Sequence, residues 1–164
     1  MRVHLVDGTW ELFRAHYAPR PSHVAPSGKD LKATVGVVGS LLGLLSDSDE
    51  AVTHLAVAFD NPIRSFRNDL FAGYKTDAGI DPSLYAQFDD VERAVAALGV
   101  TVWSMKDFEC DDALSTAAAR FSKDARVTQV RVMTPDKDLG QVLSGERIVQ
   151  VDRMRKRLFT EATL

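Results

Sequence analysis

Three short apolar segments of the sequence finish in an aspartate, at Asp7, Asp60 and Asp136. The β-branched residues in these segments predict buried strands. Because the carboxyl ends of parallel strands meet at one edge of a sheet, we expect the three carboxylates to lie close together. Four more acids accompany them, one just after Asp136 and three at the start of an alanine-rich helix: Asp138, Glu109, Asp111 and Asp112.

Seven carboxylates at one edge would repel one another and raise each other's pKa, so the cluster needs a positive occupant. Oxygen ligands without histidine or cysteine select a hard cation, Mg²⁺ or Mn²⁺. Two such ions about 4 Å apart activate water and stabilise the leaving oxygen in phosphodiester hydrolysis. Each acid taken alone has a purely structural alternative as a turn residue or helix cap. Asp7 and Asp136 could cap the helices that follow them.

The elements that would position these acids alternate along the chain. Strands and helices in this order predict an α/β fold with a mostly parallel central sheet and helices on both faces. The predicted strands are Val3–Asp7, Leu55–Asp60, Val100–Trp103, Val130–Thr134 and Ile148–Val151. The predicted helices are Trp10–Tyr17, Leu31–Leu45, Pro82–Leu98, Asp111–Phe121 and a short one at Lys137–Leu143. Gly99 is expected to end the third helix in a left-handed conformation.

Composition places the chain among ordinary globular proteins. Its 164 residues, 18.0 kDa and 45% apolar content predict one domain over residues 1–164. No apolar run is long enough to span a bilayer, and Asp7 interrupts the N-terminal apolar run before a signal peptide could form. The single cysteine, Cys110, excludes an internal disulfide. We therefore expect a cytoplasmic protein with no membrane partner.

The net charge of −3 and pI near 5.8 are not typical of a nucleic-acid-binding surface. With the seven clustered acids set aside, however, the rest of the chain is net positive. Basic side chains lie beside the acids in sequence at Arg64, Arg67 and Lys75, and again in the segment 153–157. We expect that second segment to form a charged hairpin tip. Nucleic acid therefore stays compatible with the composition.

Four motifs in this order resemble those of the 5′-nuclease family. They are Leu5-Val6-Asp7-Gly8, Ser65-Phe66-Arg67 with Gly73-Tyr74-Lys75, Phe108-Glu109-Cys110-Asp111-Asp112, and Thr134-Pro135-Asp136-Lys137-Asp138. The sequence is similar to the N-terminal 5′–3′ exonuclease domain of bacterial DNA polymerase I and to the stand-alone flap endonucleases. The resemblance extends from residue 3 to about 151 and implies a PIN-like, resolvase-type fold of three layers.

The resemblance implies cleavage of DNA at 5′ flaps, nicks or free 5′ ends in the presence of Mg²⁺ or Mn²⁺. RNA primers would be a further substrate. The chain would act as a monomer. It implies that residues 61–81 form an arch, at whose foot Arg67 and Lys75 neutralise the scissile phosphate. Asp7, Asp60 and Asp111 would be catalytic. The implied metal ligands are Asp7, Asp60, Glu109, Asp111, Asp112, Asp136 and Asp138.

The family's second half, with a helix–hairpin–helix clamp and two further aspartates for the second metal, would begin where this sequence stops at Leu164. We therefore expect the first metal site to be complete and the second to be incomplete. Reduced turnover, with the chain acting as a DNA-binding scaffold, is one alternative. A PIN-type endoribonuclease is another.

Two other enzyme classes fit the sequence poorly. Phosphatases of the haloacid dehalogenase type carry the motif Asp-x-Asp-Gly-Thr, and its last three residues match Asp7-Gly8-Thr9. The first aspartate of that motif is the nucleophile, and this sequence has Leu5 in its place. The segment Ser27–Asp30 lacks the upstream glycine of a phosphate-binding loop.

Overall fold

The computed structural model describes residues 1–164 and is built around one six-stranded sheet. The strand order is β3-β2-β1-β4-β5-β6, in which β1 to β5 are parallel and β6 is antiparallel to β5. The strands are β1 (Arg2–Asp7), β2 (His54–Asp60), β3 (Thr101–Met105), β4 (Gln129–Met133), β5 (Ile148–Asp152) and β6 (Arg157–Phe159). The predicted mostly parallel sheet is confirmed.

Helices cover both faces of this sheet. They are α1 (Gly8–Tyr17), α2 (Lys32–Ser46), α3 (Arg67–Leu70), α4 (Pro82–Tyr85), α5 (Phe88–Ala97) and α6 (Cys110–Phe121), with a 3₁₀ helix at Lys137–Val142. Successive residues of a strand point to opposite faces, so Val6 packs under α1, α2 and α5, whereas Leu5 packs under α6. Strands that are apolar on both faces are typical of parallel sheets between two helical layers. The three-layer prediction is confirmed.

The carboxyl ends of β1, β2 and β4 form one continuous edge. β1 is central and pairs with β2 on one side and β4 on the other, with Asp7 opposite Ala58 and Val6 opposite Met133. The chain adds β2 and β3 on one side of β1 and then crosses back to add β4 and β5 on the other side. This reversal makes the edge a topological switch point, where α/β sheets bind ligands. The fold therefore brings Asp7 and Asp60 to the same edge.

Gly8 begins α1 immediately after β1, and its lack of a side chain allows this close passage. A Cβ on Gly8 would lie 2.5 Å from the Phe59 ring and 2.7 Å from the carbonyl oxygen of Ala58. No larger residue fits without moving strand β2. This glycine therefore sets how closely α1 approaches the edge where Asp7 lies.

The prediction of one helix over 82–98 was wrong, because the structure has α4 and α5 separated at Ala86 and Gln87. The Gln87 side chain is fully buried, where its Oε1 accepts hydrogen bonds from the backbone N–H and the hydroxyl of Thr34, both at 3.0 Å. These bonds hold Gln87 against α2 and satisfy a buried amide. Gly99 has a φ of +79°, as expected for the residue that follows the helix end.

Two elements were not predicted from the sequence. The four-residue helix α3 lies inside the segment 61–81, and β6 closes a hairpin with β5. The turn of this hairpin lies in the basic segment 153–157, which agrees with the expected charged tip. None of the helices is both long and apolar enough to cross a bilayer.

Candidate metal centre

Asp7 is held in place at the end of β1 by three hydrogen bonds, the longest of which comes from the Cys110 thiol to Oδ1 at 3.6 Å. Its Oδ1 accepts from the backbone N–H of Trp10 at 2.8 Å, which caps α1, and its Oδ2 accepts from the Thr134 hydroxyl at 3.0 Å. Burial raises the pKa of Asp7, and the nearby Asp60 raises it further, although the three hydrogen bonds act in the opposite direction. Asp7 is thus both a helix cap and part of an acidic cluster.

Asp60 at the end of β2 joins the cluster to α6 and to the segment 61–81. Its Oδ1 accepts from the backbone N–H of Cys110 at 2.6 Å, the first residue of α6. Its Oδ2 lies 3.1 Å from Nζ of Lys75. Its own backbone N–H donates to the Thr9 hydroxyl at 2.8 Å. The Asp60 carboxylate is therefore buried, oriented and paired with one cation.

Asp111 is a partly buried acid of the cluster whose carboxylate has no partner. It lies in the first turn of α6, and its carboxylate makes neither a hydrogen bond nor an ion pair with the rest of the chain. Burial, followed by repulsion from Asp7, Asp136 and Asp60, raises its pKa to about 6, and Lys75 only partly opposes this. A bound cation would offset the repulsion between Asp111 and the neighbouring carboxylates, so this position favours cation binding.

Glu109, which precedes α6, is buried and faces the segment 61–81. Its Oε1 accepts from the Ser65 hydroxyl at 2.7 Å, and its Oε2 accepts from the Tyr74 hydroxyl at 3.3 Å. Arg67 and Lys75 lie 3.7 and 3.9 Å from the same carboxylate. All four groups belong to one segment, so Glu109 anchors that segment to the start of α6.

Asp112 makes a second attachment of the same segment. Both of its carboxylate oxygens accept from the Arg67 guanidinium at 2.7 Å, a bidentate arrangement, and the backbone N–H of Glu109 donates to Oδ2 at 2.9 Å. The hydrogen bonds from Arg67 lower the pKa of Asp112 and raise that of Arg67. Asp112 is thus already neutralised by a protein cation.

Asp136 and Asp138 lie at the solvent-exposed end of the cluster, after β4. Oδ1 of Asp136 accepts from the backbone N–H of Asp138 at 2.9 Å, which caps the 3₁₀ helix. Asp136 is close enough to raise the pKa of Asp111. The Asp138 side chain makes no hydrogen bond or ion pair with the chain.

The seven predicted acids therefore do not form a closed cage. No group of three or more His, Cys, Asp or Glu side chains is arranged to hold a metal ion. Asp7, Asp60, Asp111 and Asp136 nevertheless interact electrostatically at one edge and offer only oxygen atoms, which are the donors that hard divalent cations prefer. This donor set and the unpartnered Asp111 fit a hard cation.

Sequence reasoning did not identify several polar residues that orient the acids. Thr9, Ser65 and Thr134 each bond to an acid or its backbone through a hydroxyl. Serine and threonine are common everywhere in a sequence, and these partners are distant along the chain. Only the position of Thr134 at the end of a strand, next to the Asp136 motif, was a usable signal.

A mostly parallel α/β sheet with carboxylates at the switch-point edge defines a PIN-like, resolvase-type domain. Residues 2–164 match the family described as the 5′–3′ exonuclease, N-terminal resolvase-like domain. The chain belongs to this family.

Among curated proteins, the chain is 34% identical over 151 residues to a DNA polymerase I of Mycobacterium leprae, covering 91% of this chain and 16% of that protein. It is 34% identical over 144 residues to a 5′–3′ exonuclease of Bacillus subtilis, covering 87% of this chain and 48% of that protein. The chain thus spans less than half of the length of either relative.

Two solved structures from bacteriophage T5 share the fold. One is a T5 protein co-crystallised with metal ions, with a TM-score of 0.72 and 14% identity, covering 98% of this chain and 57% of that one. The other is a flap endonuclease in a pseudo-enzyme–product complex with DNA and metal ions, with a TM-score of 0.67 and 15% identity, covering 98% and 58%. At these identities the similarity shows the fold.

Proposed function

We propose that this chain is the catalytic domain of a divalent-metal-dependent 5′–3′ exonuclease and structure-selective flap endonuclease that hydrolyses DNA phosphodiester bonds. The observation that carries the proposal is Asp111, held without a partner beside Asp7, Asp60 and Asp136 at the switch-point edge. Family membership and the name of the B. subtilis relative support the same activity.

The proposed metal ligands fall into two groups. Asp7, Asp60, Asp111 and Asp136 would hold Mg²⁺ or Mn²⁺, because they share the edge and supply only oxygen atoms. When bound, the ion supplies an activated water and stabilises the leaving oxygen of the phosphodiester. Glu109, Asp112 and Asp138 would contribute through water, since the first two are already bonded to residues of the segment 61–81.

The chain's own residues prepare the site for a phosphate. The hydrogen bonds from Trp10 and Thr134 fix the Asp7 carboxylate, and the Cys110 backbone N–H fixes Asp60. Lys75 and Arg67 lie at the mouth with 41% and 32% of their side chains exposed, so both can reach a substrate. Their charges would neutralise the scissile phosphate.

The segment 61–81 is proposed as the arch through which a 5′ end is recognised. It is attached to the cluster at both Arg67 and Lys75, so the same acids that would bind metal also position the arch. The proposed substrates are DNA with 5′ flaps, nicks or free 5′ ends, and RNA primers. The carboxylate cluster formed by Asp7, Asp60, Asp111 and Asp136 is proposed as one metal site of this domain.

A labelled 5′-flap DNA tests this function directly. We expect cleavage near the junction in Mg²⁺ or Mn²⁺, none in EDTA, and none by Asp111→Asn. Asp49→Asn is the matched control, because Asp49 is exposed and lies before β2, at the opposite edge of the sheet. Its activity should equal that of the wild type.

Two results would contradict the proposed function and indicate a different one. Cleavage of structured RNA in preference to the flap would indicate a PIN-type endoribonuclease. Equal flap binding by the wild type and Asp111→Asn, without cleavage by either in Mg²⁺ or Mn²⁺, would indicate a DNA-binding scaffold.

A further inference from the structure

The two edge strands of the sheet differ in how well they are protected from pairing with another chain. β6, at one edge, has three residues and includes the charged Arg157. Short length and charge are features that keep an edge strand from pairing. β3, at the opposite edge, has five residues, Thr101–Met105, without a charge or a proline. Strand β3 therefore lacks the protection that β6 has.

One side of β3 is open along the whole strand. β3 pairs with β2 alone, in an unbroken parallel register from Thr101 to Met105. The backbone N–H and C=O groups of β3 that point away from β2 therefore have no strand partner. Such groups are the template that an extended peptide uses when it adds a strand to a sheet.

An apolar cavity lies beside this open edge. It has a volume of about 560 Å³ and is enclosed by β3, the residues that follow β3, and α6. Phe108, which lines it, is 56% exposed. Six of the nine lining residues are hydrophobic: Trp103, Met105, Phe108, Ala113, Ala117 and Phe121. The cavity therefore suits apolar side chains.

The cavity exists because the helical layer covers β3 incompletely on this face. Trp103 and Met105 pack against the core under α6, whereas Val102 packs on the opposite face. α6 lies mainly over β1, β2 and β4 and contacts β3 least. Trp103 and Met105 consequently stay half-buried. Side chains from an added strand would cover both residues.

A second cavity, of about 470 Å³, continues the first toward the amino end of β3. The two cavities share Trp103 and Phe121, and the second also contacts Gly99 and Thr101. Together they are here called the β3 groove, which follows all five residues of the strand, a length of about 16 Å. An extended peptide of that length presents two or three alternate side chains to one face. The β3 groove therefore matches an added strand in length.

The acids that line the β3 groove are neutralised by the chain itself. Asp112 is held by the Arg67 guanidinium at 2.7 Å, and Asp124 is paired with Arg126, also at 2.7 Å. Neither acid would attract a basic partner.

Exposed cations lie at both ends of the β3 groove. Arg120 and Lys123 lie around the end of α6, near the amino end of β3, and Lys106 directly follows β3. Their side chains make no hydrogen bond or ion pair with the chain. The exposed Asp107 offsets one of these three charges. The ends of the groove are thus net positive and complement an acidic partner.

We propose that the β3 groove binds an extended segment of a partner protein, with alternating apolar residues between acidic ends, which adds to β3 as a further strand. The backbone of the segment pairs with the open edge, and every second side chain enters the groove beside Trp103. The acidic ends meet Arg120 and Lys123 at one end and Lys106 at the other. The proposal uses none of the residues at the carboxylate edge, so it holds or fails independently of the nuclease assignment.

Binding of synthetic peptides to the whole chain in EDTA tests the proposal, with fluorescence anisotropy as the measurement. The parent peptide has nine residues, a central Phe-Thr-Leu-Thr-Phe with two glutamates at each end. One comparison peptide has lysines in place of the glutamates, and another has the central order Phe-Leu-Phe-Thr-Thr. We expect the parent to bind at least about tenfold more tightly than either, because only the parent has both the charge and the alternation.

N-methylation of the peptide tests strand addition itself. Alternate residues of a strand direct their N–H groups to opposite edges, so only one alternate set can donate to β3. N-methylation of that set in the parent peptide should abolish binding, and N-methylation of the other set should leave the affinity within about threefold. A groove that bound only side chains would not distinguish the two sets.

Protein variants locate the peptide. Thr116→Phe places a large side chain at the groove and should weaken binding about tenfold, since phenylalanine and threonine have similar helix propensities and α6 stays folded. Ala119→Phe is the matched control, because Ala119 is exposed on the same helix outside the lining of the groove. Its affinity should stay within about twofold of the wild type.

A charge variant tests the acidic ends. Arg120→Ala combined with Lys123→Ala should weaken binding of the parent peptide about fivefold. Lys156→Ala combined with Arg157→Ala removes the same charges beside β6, at the opposite edge of the sheet, and should have little effect.

A labelled oligothymidylate strand is the competing probe. If it binds more tightly than the parent peptide and loses its affinity in Thr116→Phe, the groove is a nucleic-acid surface and the proposal is wrong. The proposal is also overturned if the parent peptide does not bind the wild type, if both N-methylated peptides bind as tightly as the parent, or if Thr116→Phe binds as tightly as Ala119→Phe.

Discussion

Replacing Asp111 with asparagine should stabilise the metal-free protein. Raising a carboxyl pKa from its ordinary 3.8 to about 6 corresponds to about 3 kcal/mol of unfavourable free energy for the ionised form at neutral pH. Part of this side chain faces solvent, which reduces the effect. We therefore expect Asp111→Asn to raise the free energy of unfolding by about 1–2 kcal/mol at neutral pH.

The sign of the pH dependence follows from the direction of the pKa shift. Since the folded state holds the Asp111 proton more tightly than the unfolded state, wild-type stability should fall as the pH rises from 3.8 to about 6. The Asn variant lacks this contribution. The stability difference between the two proteins should therefore vanish in acid and reach its full value above the higher pKa.

Urea unfolding in EDTA at several pH values measures this difference, with Asp49→Asn as the control that should not depart from the wild type. Saturating Mg²⁺ should then reverse the order, because a ligand that binds only the folded state stabilises it. Loss of stability in Asp111→Asn at neutral pH without metal would mean that Asp111 is a structural residue, and the reasoning from anionic crowding would be refuted.

Three further substitutions test how the site is supported. Gly8→Ala should lower the free energy of unfolding by about 2–3 kcal/mol, because its Cβ would collide with the Phe59 ring; an unchanged urea midpoint would show that the close passage is not required. Glu11→Ala should cost about 3 kcal/mol by leaving partly buried arginines unpaired, and a cost below about 1 kcal/mol would contradict this. Arg67→Met should speed proteolysis within 61–81 while changing global stability by less than about 1 kcal/mol, since its pair with Asp112 is partly exposed; unchanged proteolysis would show that Arg67 does not anchor the segment.

The fold could be predicted because its signals are local. Apolar, β-branched runs such as Leu55–Asp60 identify strands, and their alternation with helices leads to a parallel sheet. The break at Gln87 could not be predicted, since it depends on hydrogen bonds to Thr34, a residue 53 positions away. Until the tertiary structure brings these residues together, the apolar periodicity favours one continuous helix.

In the candidate site, too, the features set by local sequence could be predicted and those set by long-range contacts could not. The position of Asp7 and Asp60 at one edge followed from strand polarity alone. The pairing of Arg67 with Asp112 and of Ser65 with Glu109 did not, because both join the segment 61–81 to α6 across more than forty residues. The acids predicted as one group therefore have two roles. Glu109 and Asp112 anchor the segment 61–81, whereas Asp7, Asp60, Asp111 and Asp136 form an open cluster. Their roles as metal ligands stay predictions.

The central claim is that the carboxylate edge binds a divalent cation. Titration of the chain with Mn²⁺, followed by electron paramagnetic resonance of the free ion, measures this binding without depending on catalysis. We predict saturable binding to the wild type and to Asp49→Asn, and its loss in both Asp60→Asn and Asp111→Asn. Equal Mn²⁺ binding by all four proteins, or none by the wild type, would contradict the account.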